Sequence, residues 1–223
     1  MRERGRGSVE HIEVFADVVC PFTHVGLQRL RAARPRGNTT RLLVRAWPLE
    51  WVNGAPLGAD LAARDIEALR EQVAPDLFAA FDPKTFPRTS ISAFGLAAAA
   101  YRVDDAMGEA VSLALRHALF EHGQDISDRD VLKEIGWAFG IEPPDLATAE
   151  AAARDDWKRG NDRGVKGSPH FFVGDRDWFC PSLDIDHRDD RFHIAVAEPA
   201  MREFHAAAFV EPVRSDATPG STS

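Results

Sequence analysis

The chain reads as an α/β protein whose sheet-forming part is split by a large all-helical insertion, and three observations carry that reading. A strand, a helix and a second strand follow one another between His11 and Pro48. The stretch from about 60 to 160 has helical spacing and few strand signals. Strand character then returns at His170 to Val173 and at Asp177 to Cys180, around a Gly174-Asp175 turn, before a closing helix.

Each element has a local reason. His11 to Val19 carries Ile12, Val14 and the β-branched pair Val18-Val19, which favour a strand. Thr23 to Ala33 places Val25, Leu27 and Leu30 at helical spacing, and Arg34-Pro35-Arg36-Gly37 stops it. Thr40 to Pro48 is a second apolar strand, so a βαβ unit with parallel strands is expected. Asp60 to Phe81 fits one helix or two, interrupted near Pro75, and Ser92 to Arg102 and Met107 to His122 continue the helical block. Ser127-Asp128-Arg129-Asp130 reads as an N-cap box before Val131 and Leu132. Pro143-Pro144 breaks the chain ahead of a helix over Ala147 to Arg159. The Gly174-Asp175 turn between two β-rich runs is a hairpin signal. A last helix is expected over Arg191 to Phe209, bent near Pro199. The expected organisation is therefore 10–56 for the βαβ part, 57–160 for the insertion, 161–210 for the ββα part and 211–223 for a disordered tail rich in Pro, Ser, Thr and Gly.

Composition narrows the function classes. At 223 residues the chain can bury a sizeable core as one domain with an insertion. A net charge of −8 argues against a nucleic-acid surface, which needs a basic face. No apolar run of about 18 residues exists, so no membrane span is expected. The basic start, Met1 to Gly7, precedes no apolar signal region, and the expected location is cytoplasmic. Two cysteines in such a chain make no disulfide scaffold; each is either reactive or buried.

The chemistry-bearing stretch is Asp17-Val18-Val19-Cys20-Pro21-Phe22-Thr23-His24. Cys20 falls at a strand-to-helix junction, where backbone N–H groups converge without intrahelical partners and the helix dipole favours a thiolate. Pro21 takes the first helical position, where its missing N–H costs nothing. Three residues after Cys20 stands Thr23 rather than a second cysteine. Thr23 is placed to donate a hydrogen bond to the Cys20 thiolate, and His24 either adds positive charge when protonated or lies on the surface. Gly164-Val165-Lys166-Gly167-Ser168-Pro169-His170-Phe171 precedes the hairpin, with Pro169 at the first residue of its strand, where no ladder donor is missed.

Together these residues resemble the thioredoxin fold with its proline loop. More closely, the chain is similar to the DsbA-like group with a helical insertion, which includes FrnE-type oxidoreductases, 2-hydroxychromene-2-carboxylate isomerases and kappa-class glutathione transferases. The residues carrying the resemblance are Asp17 to Phe22 with Gly26, Ala118 to Ser127 running on to Val131-Leu132, and Gly164 to Phe171, in order from Ile12 to Phe209. The resemblance implies a cis Pro169 facing Cys20 and a Ser168 backbone open to an extended peptide or a thiol cofactor. It implies Cys20 and Thr23 as the catalytic pair, with Pro21, Phe22, His24, Ser168 and Pro169 lining the substrate. No metal and no tightly bound cofactor is implied; glutathione or another low-molecular-weight thiol is the expected co-substrate. The expected partners are that thiol or a peptide bearing a thiol or disulfide, with a homodimer as one assembly.

The sequence departs from the group at one point: the usual Cys-x-x-Cys is Cys20-Pro21-Phe22-Thr23 here. A dithiol resolves its own mixed disulfide with the second sulfur, and Thr23 cannot. The leading expectation is thus a monothiol oxidoreductase resolved by an external thiol. The rivals are a transferase- or isomerase-like enzyme that activates a bound thiol, and a redox-silent binding module. Cys180 is read as structural, and Asp184, Asp186, His187, Asp189 and Asp190 as a solvated turn capping the last helix. Trp51, Phe78, Phe94 and Trp137 are core candidates, some of which would wall the cleft between insertion and sheet.

Overall fold

The computed structural model describes residues 9–188 and 191–209. Strand β1 (His11–Ala16) lies between β2 (Arg41–Ala46) and β3 (His170–Val173), and β4 (Arg176–Phe179) completes a four-stranded sheet in the order β2-β1-β3-β4. β1 and β2 are parallel, from His11 opposite Arg41 to Ala16 opposite Ala46. β3 runs antiparallel to both β1 and β4. Helix α1 (Pro21–Ala33) connects the parallel pair and buries Val25, Leu27 and Leu30. Between β2 and β3 come α2 (Leu49–Asn53), α3 (Ala59–Gln72), a 3-10 turn at Pro83–Thr85, α4 (Ile91–Tyr101), α5 (Asp105–His122), α6 (Arg129–Ala138) and α7 (Leu146–Asp162). The fold is the expected thioredoxin-like α/β class.

The helices of this block finish the sheet. β2 is an edge strand, and an open edge leaves alternate N–H groups unpaired. Here the Leu42 N–H donates to Glu109 Oε2 (3.0 Å), the Val44 N–H to Tyr101 Oη (2.8 Å) and the Ala46 N–H to Asp156 Oδ2 (2.9 Å). Tyr101 Oη in turn donates to the Leu42 carbonyl at 2.8 Å. Side chains from α4, α5 and α7 thus take the place of a fifth strand.

The structure corrects the sequence reading at five points. Residues 191–196 are not the start of the last helix. They form β6 (Arg191–Val196), paired antiparallel with β5 (Leu183–Arg188) as a separate hairpin. Burial along β6 alternates, with Ile194 buried between exposed His193 and Ala195, which is a period of two rather than 3.6. Helix α8 runs Glu198–Ala208 with Pro199 in its first turn, so Pro199 starts the helix instead of bending it. The acidic tract follows suit: Asp184 and Asp186 lie exposed on β5, while Asp189 and Asp190 fall outside the described residues. The N-cap of α6 is Asp128, one residue beyond the expected Ser127. Trp137, expected in the core, is 85% exposed. The expected disordered tail lies outside the described residues, apart from its approach through Phe209.

The β5–β6 hairpin is tied down beside α1. Gln72 at the end of α3 receives the Ile194 N–H at 2.9 Å and donates to the Phe192 carbonyl at 3.0 Å, acting as a short side-chain partner for β6. Arg29 of α1 reaches the Ser182 carbonyl at 2.7 Å. No helix among the described residues is long and apolar enough to cross a membrane.

Candidate active site at the start of α1

β1 ends at Ala16, and the chain turns through Asp17 to the N-cap of α1, which is Cys20. Its side chain makes no capping hydrogen bond to the helix, so the sulfur is not spent on closing it. Pro21 occupies the first turn. The loop before β3 comes up against this point: Cys20 Sγ donates to the Ser168 carbonyl at 3.4 Å, and the Ser168–Pro169 peptide bond is cis. Ser168 Oγ accepts the Asp17 N–H at 2.8 Å and lies 2.9 Å from Thr23 Oγ1. Two segments 148 residues apart are thereby joined by a sulfhydryl and two hydroxyls.

Cys20, Thr23, Ser168 and Pro169 are brought together as expected positions of one site. Cys20 is 3% exposed and Thr23 fully buried, Pro21 and Pro169 are buried, and Phe22 and Ser168 are half-buried. The Phe22 ring meets Phe192 of the added hairpin edge-on, with centroids 6.4 Å apart. His24 is not there. It is buried, with Nε2 2.7 Å from Glu121 Oε1 and its ring against Phe120 and Phe78 at 4.8 and 5.3 Å. The expected rim position is corrected: Glu121, 97 residues away in α5, draws the imidazole inward. His170 is also internal, receiving the Lys166 N–H on Nδ1 (3.1 Å) with Nε2 2.8 Å from Asp177. It braces the loop that carries Pro169.

Residues 11–190 match the DSBA-like thioredoxin domain family. The chain belongs to the DSBA-like thioredoxin domain family. No curated relative matches it at the sequence level. Among solved structures it is similar to a "probable DsbA oxidoreductase" from Streptomyces coelicolor, at 16% identity over 95% of this chain and 93% of that one, with a TM-score of 0.59. It is also similar to a 2-hydroxychromene-2-carboxylate isomerase, at 18% identity over 76% of this chain and 88% of that one, with a TM-score of 0.55. These two share the fold with the DsbA-like chain.

The electrostatics of this DsbA-like site correct a second expectation. Burial pushes the Cys20 thiol up, not down. Hydrogen bonds from the side chains of Thr23 and Ser168, and from the Thr23 backbone, pull in the opposite direction, and the nearby Asp17 adds to the rise. The helix start and the Thr23 hydroxyl are legible in the motif; the loss of solvent around the sulfur is not. Cys180 sits just past β4 with φ of +45°, donates its N–H to the Pro169 carbonyl at 3.0 Å, and is pushed up to about 12 by burial first and by Cys20 second. Glu121 is held near 2: burial works against its ionisation, but His24 and the Phe78 and Ala79 N–H groups outweigh it. Among the described residues, no group of three or more His, Cys, Asp or Glu converges to hold a metal ion.

Asp17 belongs to the quoted motif, yet nothing in the sequence marks it as buried. Its carboxylate is 1% exposed and receives the Val19 N–H at 3.1 Å and the Leu49 N–H at 2.6 Å. Burial raises it to about 6, with those two backbone N–H groups, Arg116 and Ser90 opposing. A carboxyl raised above its unfolded value stabilises the fold fully below the unfolded pKa and loses that contribution as pH rises through the folded one. The window therefore runs from about 3.8 to about 6, and the ionised form costs on the order of 3 kcal/mol above it. Asp17→Asn should gain stability relative to the parent by about that amount between the acid and neutral ends of the window, read by urea unfolding at several pH values. Stability curves that stay parallel across it would show that Asp17 does not titrate there.

Proposed function

We propose that this protein is a monothiol oxidoreductase of the DsbA-like family, in which Cys20 exchanges with the disulfide of a low-molecular-weight thiol of the glutathione class or of a peptide carrying it. The observation that supports the reading is the placement of one sulfhydryl at the helix start, against Ser168 and the cis Pro169, with a hydroxyl where a second sulfur would stand.

The exchange has two steps. Cys20 gives up its proton, and its thiolate attacks one sulfur of the disulfide, forming a mixed disulfide and releasing the other half as a thiol. Thr23 has no sulfur to attack that bond, so a second molecule of external thiol takes the cap from Cys20. That thiol leaves as a disulfide with the cap, and the Cys20 thiol returns. Docking trades the Cys20-to-Ser168 hydrogen bond for contacts of the incoming chain with the Ser168 carbonyl, a short strand-addition mode.

The raised Cys20 pKa assigns a direction. A thiol of high pKa is a strong nucleophile once ionised and a poor leaving group, so the site accepts caps from disulfides more readily than it donates an oxidising bond. That polarity suits a reducing, cytoplasmic compartment. Reduced protein with a glutathionylated peptide and excess free thiol should turn over. Cys20→Ser should lose turnover by at least a hundredfold, while Cys180→Ser keeps it. A second reading draws on the same burial: a Cys20 that stays protonated donates its S–H to a bound thiol, as a transferase or isomerase would use it. Retention of activity in Cys20→Ser would favour that reading over the redox one.

A further inference from the structure

We propose that Arg116 is a positioning residue for Cys20: its buried guanidinium clamps the carbonyl of Asp17, which also receives the Cys20 N–H, and lends its positive charge to the thiolate when the thiol releases its proton to solvent. The proposal rests on the redox reading of Cys20 and adds to it the source of the compensating charge.

Arg116 lies on α5 and is among the largest fully buried side chains. A buried guanidinium is costly unless it is paired and fully hydrogen-bonded. Among the described residues its hydrogen bonds go to backbone carbonyls alone, Ser112 at 2.9 Å and Asp17 at 3.2 Å, and Nε has no partner. Nε is thus left without a hydrogen-bond partner, and the first charged group acting on the guanidinium is the Asp17 carboxylate, with Cys20 behind it. The Asp17 carbonyl accepts from Arg116 on one side and from the Cys20 N–H, at 3.4 Å, on the other, so a single peptide oxygen connects the cation to the N-cap. The ionisable groups that act on Arg116 are Asp17 in the turn after β1, Tyr101 on α4, and Cys20 and His24 at the start of α1. Asp17 spends its carboxylate on the Val19 and Leu49 N–H groups, and burial keeps Tyr101 neutral up to high pH. His24 is lowered by burial and is also neutral near pH 7, so it adds no competing cation. Burial lowers Arg116 itself to about 10, which leaves it charged at neutral pH.

Opposite charge in a low-dielectric site favours the thiolate strongly. Among the described residues no other arginine or lysine is buried. Arg29 of α1, half-buried, is turned to the Ser182 and Val73 carbonyls. The sequence motif holds no hint of this, because Arg116 is 96 positions from the thiol and lies on the insertion rather than on the thioredoxin-like part.

The test titrates the Cys20 thiolate by ultraviolet absorbance in the Cys180→Ser background. Arg116→Gln keeps N–H donors for the two carbonyls and removes the charge. It should raise the apparent Cys20 pKa by about one unit, a tenfold loss of thiolate at neutral pH, while Arg116→Lys restores most of it. An unchanged pKa in folded Arg116→Gln overturns the proposal. Should that variant not fold, the unaltered protein still decides. The Arg116 Cζ carbon resonance should shift with the same midpoint as the Cys20 absorbance and lose that shift in Cys20→Ser; a resonance that ignores the thiol overturns the proposal as well. Neither readout uses a disulfide substrate, so failure of the charge coupling is separable from failure of Cys20 to form an adduct.

Discussion

Thr23→Cys should convert the site from one that holds an adduct to one that clears it. Thr23 is fully buried in the first turn of α1, and its hydroxyl favours the Cys20 thiolate and lies 2.9 Å from Ser168 Oγ. A sulfur at that position stands within reach of Cys20 Sγ, in the spacing that closes a disulfide at a helix start. The reduced variant, given oxidised glutathione, should release two thiols per chain and carry no lasting glutathionyl group. It should end with Cys20 joined by a disulfide to the sulfur introduced in place of the Thr23 hydroxyl. The parent should release one thiol and keep the cap until free thiol removes it. The change also removes the hydroxyl contact with Ser168, at a cost of about 1 kcal/mol. A variant that keeps its adduct beside a free introduced thiol would mean that Thr23 is not the reason this site works with one sulfur.

Gly95→Ala should destabilise the protein by about 2–3 kcal/mol, although alanine is the better helix former. Gly95 is where α4 crosses α7. A Cβ there would lie 2.4 Å from Ala149 Cβ, 2.9 Å from Ala149 Cα and 3.0 Å from Pro144 Cγ. Two of those atoms belong to backbone or ring and cannot swing away, so the helices must separate. α7 also carries Asp156, which holds the Ala46 N–H of the edge strand, so separation loosens the sheet edge too. Urea unfolding should show a lower midpoint with an unchanged slope, and a second change, Ala149→Gly, should recover part of the loss. A neutral or stabilising Gly95→Ala would show that the α4–α7 contact is looser than described.

Much of the site is legible in the sequence because its parts announce themselves locally. A cysteine before a proline at the end of an apolar run marks a helix N-cap, and a proline ahead of Phe171-Phe172-Val173 marks a strand start. Their meeting follows from resemblance to an ordered set of motifs. What escapes depends on contacts distant in sequence. Glu121 decides that His24 is internal, and the α4 and α5 side chains Tyr101 and Glu109 decide that β2 needs no further strand. The β5–β6 hairpin is hidden because Asp184, Asp186 and His193 interrupt its apolar positions with charge and polarity, while Leu183 and Ile194 are buried and Phe192 packs against the core. Hydrophobicity alone places Trp137 in the core, but α6 turns it outward and packs Leu132 and Gly136 instead. The helix start alone points to a lowered Cys20 pKa, whereas burial outweighs the hydrogen bonds that favour the thiolate.

The chemistry of one sulfur, Cys20, decides the mechanism. Reduced protein mixed with oxidised glutathione at neutral pH, quenched with acid and weighed intact, should gain one glutathionyl group. Peptide mapping should place that group on Cys20, with Cys180 still a free thiol, and added free thiol should remove it. A chain that gains no adduct while folded, or gains it at Cys180 with Cys20 unmodified, would contradict the monothiol mechanism.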